Sequence, residues 1–145
     1  MSIIHRSAVV NYTPTKMFQL VDDIEAYPSF LPWCEKAQVH SRTLNEVSAT
    51  LQLTLGGLSK SFTTCNRLQI GKMIEIRLIN GPFKHLEGFW RFEPYEESHC
   101  RVIFDLEFEF SNKLLAIPFE PIFQQIAHSL VHAFSKRAEH VYGQR

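Results

Sequence analysis

From about residue 37 to 110 the apolar residues recur with a period of two. In "EVSATLQLTL" (46–55), Val47, Ala49, Leu51, Leu53 and Leu55 share one side of an extended chain, and Ser48, Thr50, Gln52 and Thr54 take the other. In "CRVIFDLEFEF" (100–110), Val102, Phe104, Leu106, Phe108 and Phe110 alternate with Arg101, Asp105, Glu107 and Glu109. Successive side chains of a strand point to opposite faces, so this period of two specifies antiparallel strands with one covered and one wet face. Further runs lie near 60–70, 73–79 and 85–95. Turn signals separate them: Gly56-Gly57, Gly71, Asn80-Gly81-Pro82 and "EESH" at 96–99. The spacing predicts a meander of about six strands beginning near residue 37.

The flanks read differently. A strand is expected from about the third residue, and then Thr13 is a good N-cap and Pro14 suits the first helical position. Met17, Leu20, Val21 and Ile24 follow at helical spacing, giving a short helix that ends before Tyr27-Pro28. At the other end Phe119, Ile122, Ile126, Leu130, Phe134, Ala138 and Val141 recur every three or four residues, and Phe123, Ala127 and Val131 broaden the stripe. That is a long amphipathic helix. Pro118 and Pro121 are expected to kink it or to delay its start. The order of elements gives an α+β, helix-grip fold in one domain (1–145): a curved antiparallel sheet of about seven strands around the C-terminal helix.

A single helix about 10–12 Å across cannot cover a twisted seven-stranded sheet. Space remains between them unless large side chains fill it. Beside that gap stands "YPSFLPWC" (27–34), an oily segment whose prolines bar a regular helix or central strand. It can line the mouth of a pocket, or Phe30, Leu31 and Trp33 can plug the end of the core. Residue types alone leave both readings open.

Composition narrows the function. The formal net charge is zero and no basic block occurs, which argues against wrapping nucleic acid and against a DNA partner. No apolar run approaches the roughly 18 residues of a membrane span. Cys34, Cys65 and Cys100 are odd in number and widely spaced, fitting neither a disulfide framework nor a metal site and pointing to a reducing compartment. The N-terminus carries no secretory or mitochondrial signal pattern, so a cytoplasmic protein is expected.

"YPSFLPWC" and "GPFKHLEGFWRF" (81–92), with this element order, resemble the coenzyme Q-binding protein family of the START-like, polyketide cyclase superfamily. The resemblance covers essentially the whole chain. It rests on Tyr27, Phe30, Leu31, Pro32 and Cys34 in the first motif, and on Gly81, Pro82, Phe83, Leu86, Trp90 and Phe92 in the second. It implies a cavity between sheet and C-terminal helix that holds a hydrophobic ligand, ubiquinone in the respiratory members. Bacterial members similar to this chain are described as ribosome association toxins, which bind the large ribosomal subunit and block subunit joining. The resemblance does not choose between the two descriptions.

The residues themselves favour a carrier over a catalyst. His128 and His132 lie four apart, but with Gln125, Ser129, Lys136 and Glu139 on the wet face, and "HSLVH" lacks the Glu of a zinc-hydrolase motif. No metal site is expected. Glu75, Arg77, Glu87, Arg91, Asp105, Glu107 and Glu109 read as charge pairs across the wet sheet face. The covered faces offer almost no buried acid or base, which a polyketide cyclase-like enzyme would need to move protons. Cys34 in its apolar setting is expected to be inert.

Leu31, Trp33, Phe83, Leu86, Trp90 and Phe92 are the residues expected to line the cavity or gate it. Burying about 400 Å² of ligand at ~25 cal/mol per Å², less at least about 4 kcal/mol of lost freedom, leaves micromolar-scale affinity at best. A pocket of ~300–1,000 Å³ would take a quinone ring and a few isoprene units, a longer tail protruding or resting on a membrane surface. The expected ligand is ubiquinone or a similar polyprenyl quinone or lipid, with no cofactor required. The large ribosomal subunit is the rival partner. Lys60, Arg67, Lys72, Arg77, Lys84, Lys113, Lys136 and Arg137 are the cations available to it.

Overall fold

The computed structural model describes residues 1–143, apart from the side chain of Leu55, so the expected place of that side chain on the covered face lies outside the described residues. Seven strands form one antiparallel sheet: β1 (Ser2–Val10), β2 (Cys34–Arg42), β3 (Glu46–Leu55), β4 (Leu58–Gln69), β5 (Met73–Asn80), β6 (Phe83–Tyr95) and β7 (His99–Phe110). Their order across the sheet is β1-β7-β6-β5-β4-β3-β2. The strands from β2 to β7 are the expected meander, and β1 closes onto β7. Helix α1 (Pro14–Asp22) and the long α2 (Lys113–Tyr142) complete the fold. The register shifts between β2 and β3, between β4 and β5 at Thr63/Thr64, and between β6 and β7 at Phe83/His85. Bulges of this kind bend a strand and sharpen its twist, which curves the sheet toward α2.

The sequence signals at α1 act as read. Thr13 Oγ1 accepts from the Lys16 N–H at 3.3 Å, Pro14 opens the helix, and Met17, Phe18, Leu20 and Val21 are buried. The chain then makes a 3-10 turn over Ile24–Ser29, which tolerates Pro28, and the Leu31 N–H donates to the Tyr27 carbonyl at 2.9 Å. Cys34 already begins β2, three residues before the expected start. The rings of Tyr27 and Phe30 each meet Phe134 of α2 edge to face, with centroids 5.4 Å apart in both pairs. Arg137 covers the outer face of Phe30, 4.8 Å from its centroid. The oily octet is therefore a clamp on the C-terminal half of α2, and Trp33 is left at its edge, half-buried.

Helix α2 departs from expectation at both ends. Asn112 caps it, its Oδ1 accepting from the Leu115 N–H at 2.8 Å, and the helix starts at Lys113, ahead of both prolines. Pro118 and Pro121 do not delay it. They deprive the carbonyls of Leu114 and Ile117 of helical donors, and those residues are 85% and 74% exposed, on a stretch of helix open to solvent. The buried stripe runs from Phe119 to Ala138. Val141, expected within it, is exposed. Tyr142 takes over the packing there, its ring 5.8 Å from Tyr12 and its hydroxyl donating to the Lys16 carbonyl at 2.8 Å.

Candidate functional site

Between the concave face of the sheet and α2 lies a cavity of about 100 Å³. Strand alternation positions its sheet wall: Leu51 and Leu53 of β3, Phe62 of β4, Ile76 of β5, Trp90 of β6 and Phe104 of β7 all face inward. The helix contributes Phe123, Ile126, Ala127, Leu130 and Phe134 from successive turns. Tyr27 and Trp33 of the octet close one side.

The cavity is smaller than the size of the gap suggested, because aromatic rings fill most of it. Trp90 tilts against Phe104 with centroids 4.4 Å apart and meets Phe134 edge-on at 5.3 Å. Phe62 reaches across to Phe123 at 6.4 Å. A cavity of about 150 Å³ holds benzene, so a substituted ring enters this one only as side chains or α2 move outward. Lys60 Nζ lies over the Phe119 ring at 5.6 Å, and a methyl placed on Gly56 would sit 3.3 Å from Ile122 Cδ1.

Of the six residues singled out in the sequence, Trp33, Leu86 and Trp90 border the cavity. The other three stand behind its wall. Leu31 is buried; Phe83 stacks on Phe110 at 4.8 Å, and Phe92 meets Phe18 edge to face at 5.8 Å. Sequence reading missed the β3 and β4 wall and the helix face opposite it. Their signal was present in the alternation at 47–53 and in the stripe, once strand order had set them face to face.

The wall is chemically quiet. It carries no carboxylate, amine or imidazole among the described residues. The Tyr27 hydroxyl donates to the Val21 carbonyl, and burial pushes its pKa far above the ordinary phenol value. The Cys34 and Cys100 thiols, both buried, are pushed up to about 11 by desolvation, as the apolar setting of Cys34 suggested. His128 and His132 are exposed, and no group of three metal-ligating side chains occurs among the described residues. No helix among them is long and apolar enough to cross a membrane.

The charged residues form pairs on the outer face of the sheet. Arg91 Nη2 lies 3.7 Å from Asp105, His85 Nε2 3.5 Å from Glu107, and Lys84 Nζ 3.6 Å from Glu109. Arg77 donates to Glu75 of its own strand at 2.7 Å. Among the cations considered for a ribosomal surface, Lys60, Lys84 and Lys113 fall at one end of the sheet, where β4, β6 and α2 begin. Arg67 and Lys72 fall at the other, where β4 ends and β5 begins.

Comparisons with known proteins agree with this architecture. Residues 10–135 match the family described as polyketide cyclase / dehydrase and lipid transport. Ribosome association toxin RatA of Escherichia coli (strain K12) is 41% identical over 142 residues, 98% of this chain and 90% of the relative. Coenzyme Q-binding protein COQ10 homolog B of Xenopus laevis, a mitochondrial protein, is 26% identical over 96% of this chain and 59% of its own length. Among solved structures, the Zhui aromatase/cyclase of Streptomyces sp. R1128 superposes with a TM-score of 0.83 at 14% identity, over 95% of this chain and 93% of that one. At that identity the likeness is one of fold.

Proposed function

Since the chain belongs to the polyketide cyclase / dehydrase and lipid transport family, in the START-like group of ribosome association toxins and coenzyme Q-binding proteins, we propose that it binds an apolar ligand in the sheet–helix cavity without turning it over. The proposed ligand class is a polyprenyl quinone, ubiquinone being the example, or a lipid of similar shape. Delivery of such a ligand would support respiratory electron transport.

The observation that carries this reading is the wall itself, aromatic and aliphatic throughout apart from Thr64, Asn66 and the occupied Tyr27 hydroxyl. Cyclisation of a polyketide needs a group that gives or takes a proton at the reacting carbon. The thiols of Cys34 and Cys100 are too weakly acidic to serve, and neither is on the cavity wall. A carrier needs only an apolar surface and a way in. The small resting cavity suits a protein that closes over nothing and opens for its cargo. Extraction of the purified protein followed by mass spectrometry tests this: a co-purified quinone or lipid is expected, and its absence, with no uptake of added quinone, counts against the reading.

The 41% identity to a protein named a ribosome association toxin favours a second reading, association with the large ribosomal subunit. Its working surface would be outward and polar, and Lys60, Lys84 and Lys113 are the cations at one end of the sheet, Lys84 being paired with Glu109. Such a protein would act in the cytoplasm, and a carrier of quinone would also visit the face of the membrane. Sedimentation of cell extract at low and raised salt separates the readings. Salt-labile movement with large subunits supports the ribosomal one, whereas confinement to the top and membrane fractions supports the carrier.

A further inference from the structure

The cavity wall is interrupted in one place. Along β4, Phe62, Thr64, Asn66 and Leu68 share the concave face, so the apolar row is broken by two consecutive polar positions. Their neighbours across the sheet are apolar on both sides: Ala49 and Leu78 flank Thr64, and Val47 and Ile76 flank Asn66. Thr64 is 8% exposed and is the one buried polar residue among those described. Its hydroxyl donates to Asn66 Oδ1 at 3.0 Å.

That bond occupies the amide's acceptor. Among the described residues Asn66 makes no other side-chain hydrogen bond, so its two N–H groups have no protein partner. Asn66 is half-buried, so its free N–H groups are not sealed off, yet they stand on a face that valine or leucine would otherwise cover. Both residues border the cavity. A donor held in place by a neighbouring hydroxyl, on an otherwise apolar wall, is the arrangement that fixes the orientation of a mostly apolar ligand.

We infer that Thr64 and Asn66 form the polar subsite of the cavity, with the Asn66 amide donating to a carbonyl or alkoxy oxygen on the ring of the ligand. The inference rests on the binding reading above and adds its specificity. The cavity selects a ligand that carries an oxygenated ring at its apolar end, and it prefers such a ring to a plain hydrocarbon chain. Thr64 acts through Asn66: it holds the amide oxygen, so the N–H groups face the ligand.

The test compares two probes, a ubiquinone with a short prenyl tail and an oxygen-free prenyl hydrocarbon of matched length, each titrated into wild type, Asn66→Leu and the Thr64→Val/Asn66→Leu double variant. Wild type is expected to bind both and to favour the quinone. Asn66→Leu is expected to weaken the quinone about tenfold, the equivalent of one hydrogen bond of ~1.4 kcal/mol, and to leave the hydrocarbon within about twofold. The double variant removes both polar partners from an apolar setting, so it should unfold at an equal or higher temperature while losing the preference. A structural role alone would lower the unfolding temperature of the double variant and move both ligands together. That outcome, or an unchanged preference in Asn66→Leu, overturns the subsite while leaving the cavity reading intact. Binding of neither probe to wild type overturns both.

Discussion

The ring of Phe134 stands edge-on to Trp90, with centroids 5.3 Å apart and planes at 85°. One belongs to α2 and the other to β6, so this contact ties helix to sheet across the cavity. Tyr27 and Phe30 press on the same phenyl ring from the octet. Phe134 is thus the point where clamp, helix and wall meet.

Phe134→Ala should therefore cost about 3–5 kcal/mol, as for a large aromatic removed from a core. It should also loosen the octet. Chemical denaturation gives the first quantity, and faster amide exchange over residues 27–34 reports the second. Wild-type stability in the variant would mean that the octet holds α2 by other contacts.

Gly88, in "LEGFW", has an ordinary backbone conformation but no room. A methyl there would lie 2.5 Å from the Asp105 carbonyl oxygen and 3.2 Å from the Leu106 Cα, both of β7. Backbone cannot yield as a side-chain tip can. Gly88→Ala should separate β6 from β7 locally and lose about 1–3 kcal/mol, in the manner of an overpacked core. An unchanged unfolding midpoint would contradict this close approach.

Much of the fold was legible from two periodicities. Alternation gave the strands, the Thr13-Pro14 pair marked the start of α1, and the stripe from Phe119 marked α2. What escaped was what depends on distance through space. Nothing local tells Thr64 that Ala49 and Leu78 will flank it, so the sequence alone does not single out a polar pair on a covered face. The start of α2 is not delayed as the prolines suggested, because Pro118 and Pro121 remove only two backbone bonds from an exposed stretch of helix. Leu31, Phe83 and Phe92, expected to line the cavity or gate it, stand off its wall, and in sequence an apolar residue on a wall reads the same as one packed behind it. The gap was also judged too large, since rings contributed by five different elements meet in its middle.

The thiols should label in a fixed order. Cys34 and Cys100 are buried with pKa values pushed up to about 11, so at pH 8 only about one molecule in a thousand carries either thiolate. Cys65 is half-buried on the wet side of β4, and although its pKa is also raised it is the accessible one. Alkylation of native protein followed by peptide mass mapping should mark Cys65 first and the others only on unfolding. Early labelling of Cys34 would show that the octet opens.

Asp22 should make stability fall as pH rises above the ordinary carboxylate value. Desolvation raises its pKa from 3.8 despite the hydrogen bond and charge of Arg42, which donates to Oδ2 at 2.9 Å, and Oδ1 is buried without a partner. The native state then holds its proton at pH values where the unfolded chain has lost it. That stabilisation is complete below the unfolded value and disappears as pH rises through the folded one. Asp22→Asn removes the ionisation, so the difference in unfolding free energy, wild type minus variant, should decline across that window and then level off. A difference that rises with pH would contradict the assignment.

The chain's two tryptophans, Trp33 and Trp90, both border the cavity, so the protein carries its own reporters of occupancy. The most direct measurement is the quenching of their fluorescence by a short-tailed ubiquinone, in wild type and in Ala127→Leu. Ala127 is 1% exposed and faces the void from α2, so the larger side chain fills the space a ring must enter. Saturable quenching in wild type with micromolar-scale affinity, reduced at least tenfold in a folded Ala127→Leu variant, is the expected result. Quenching that is absent in wild type, or equal in the two proteins, would contradict ligand binding between sheet and helix.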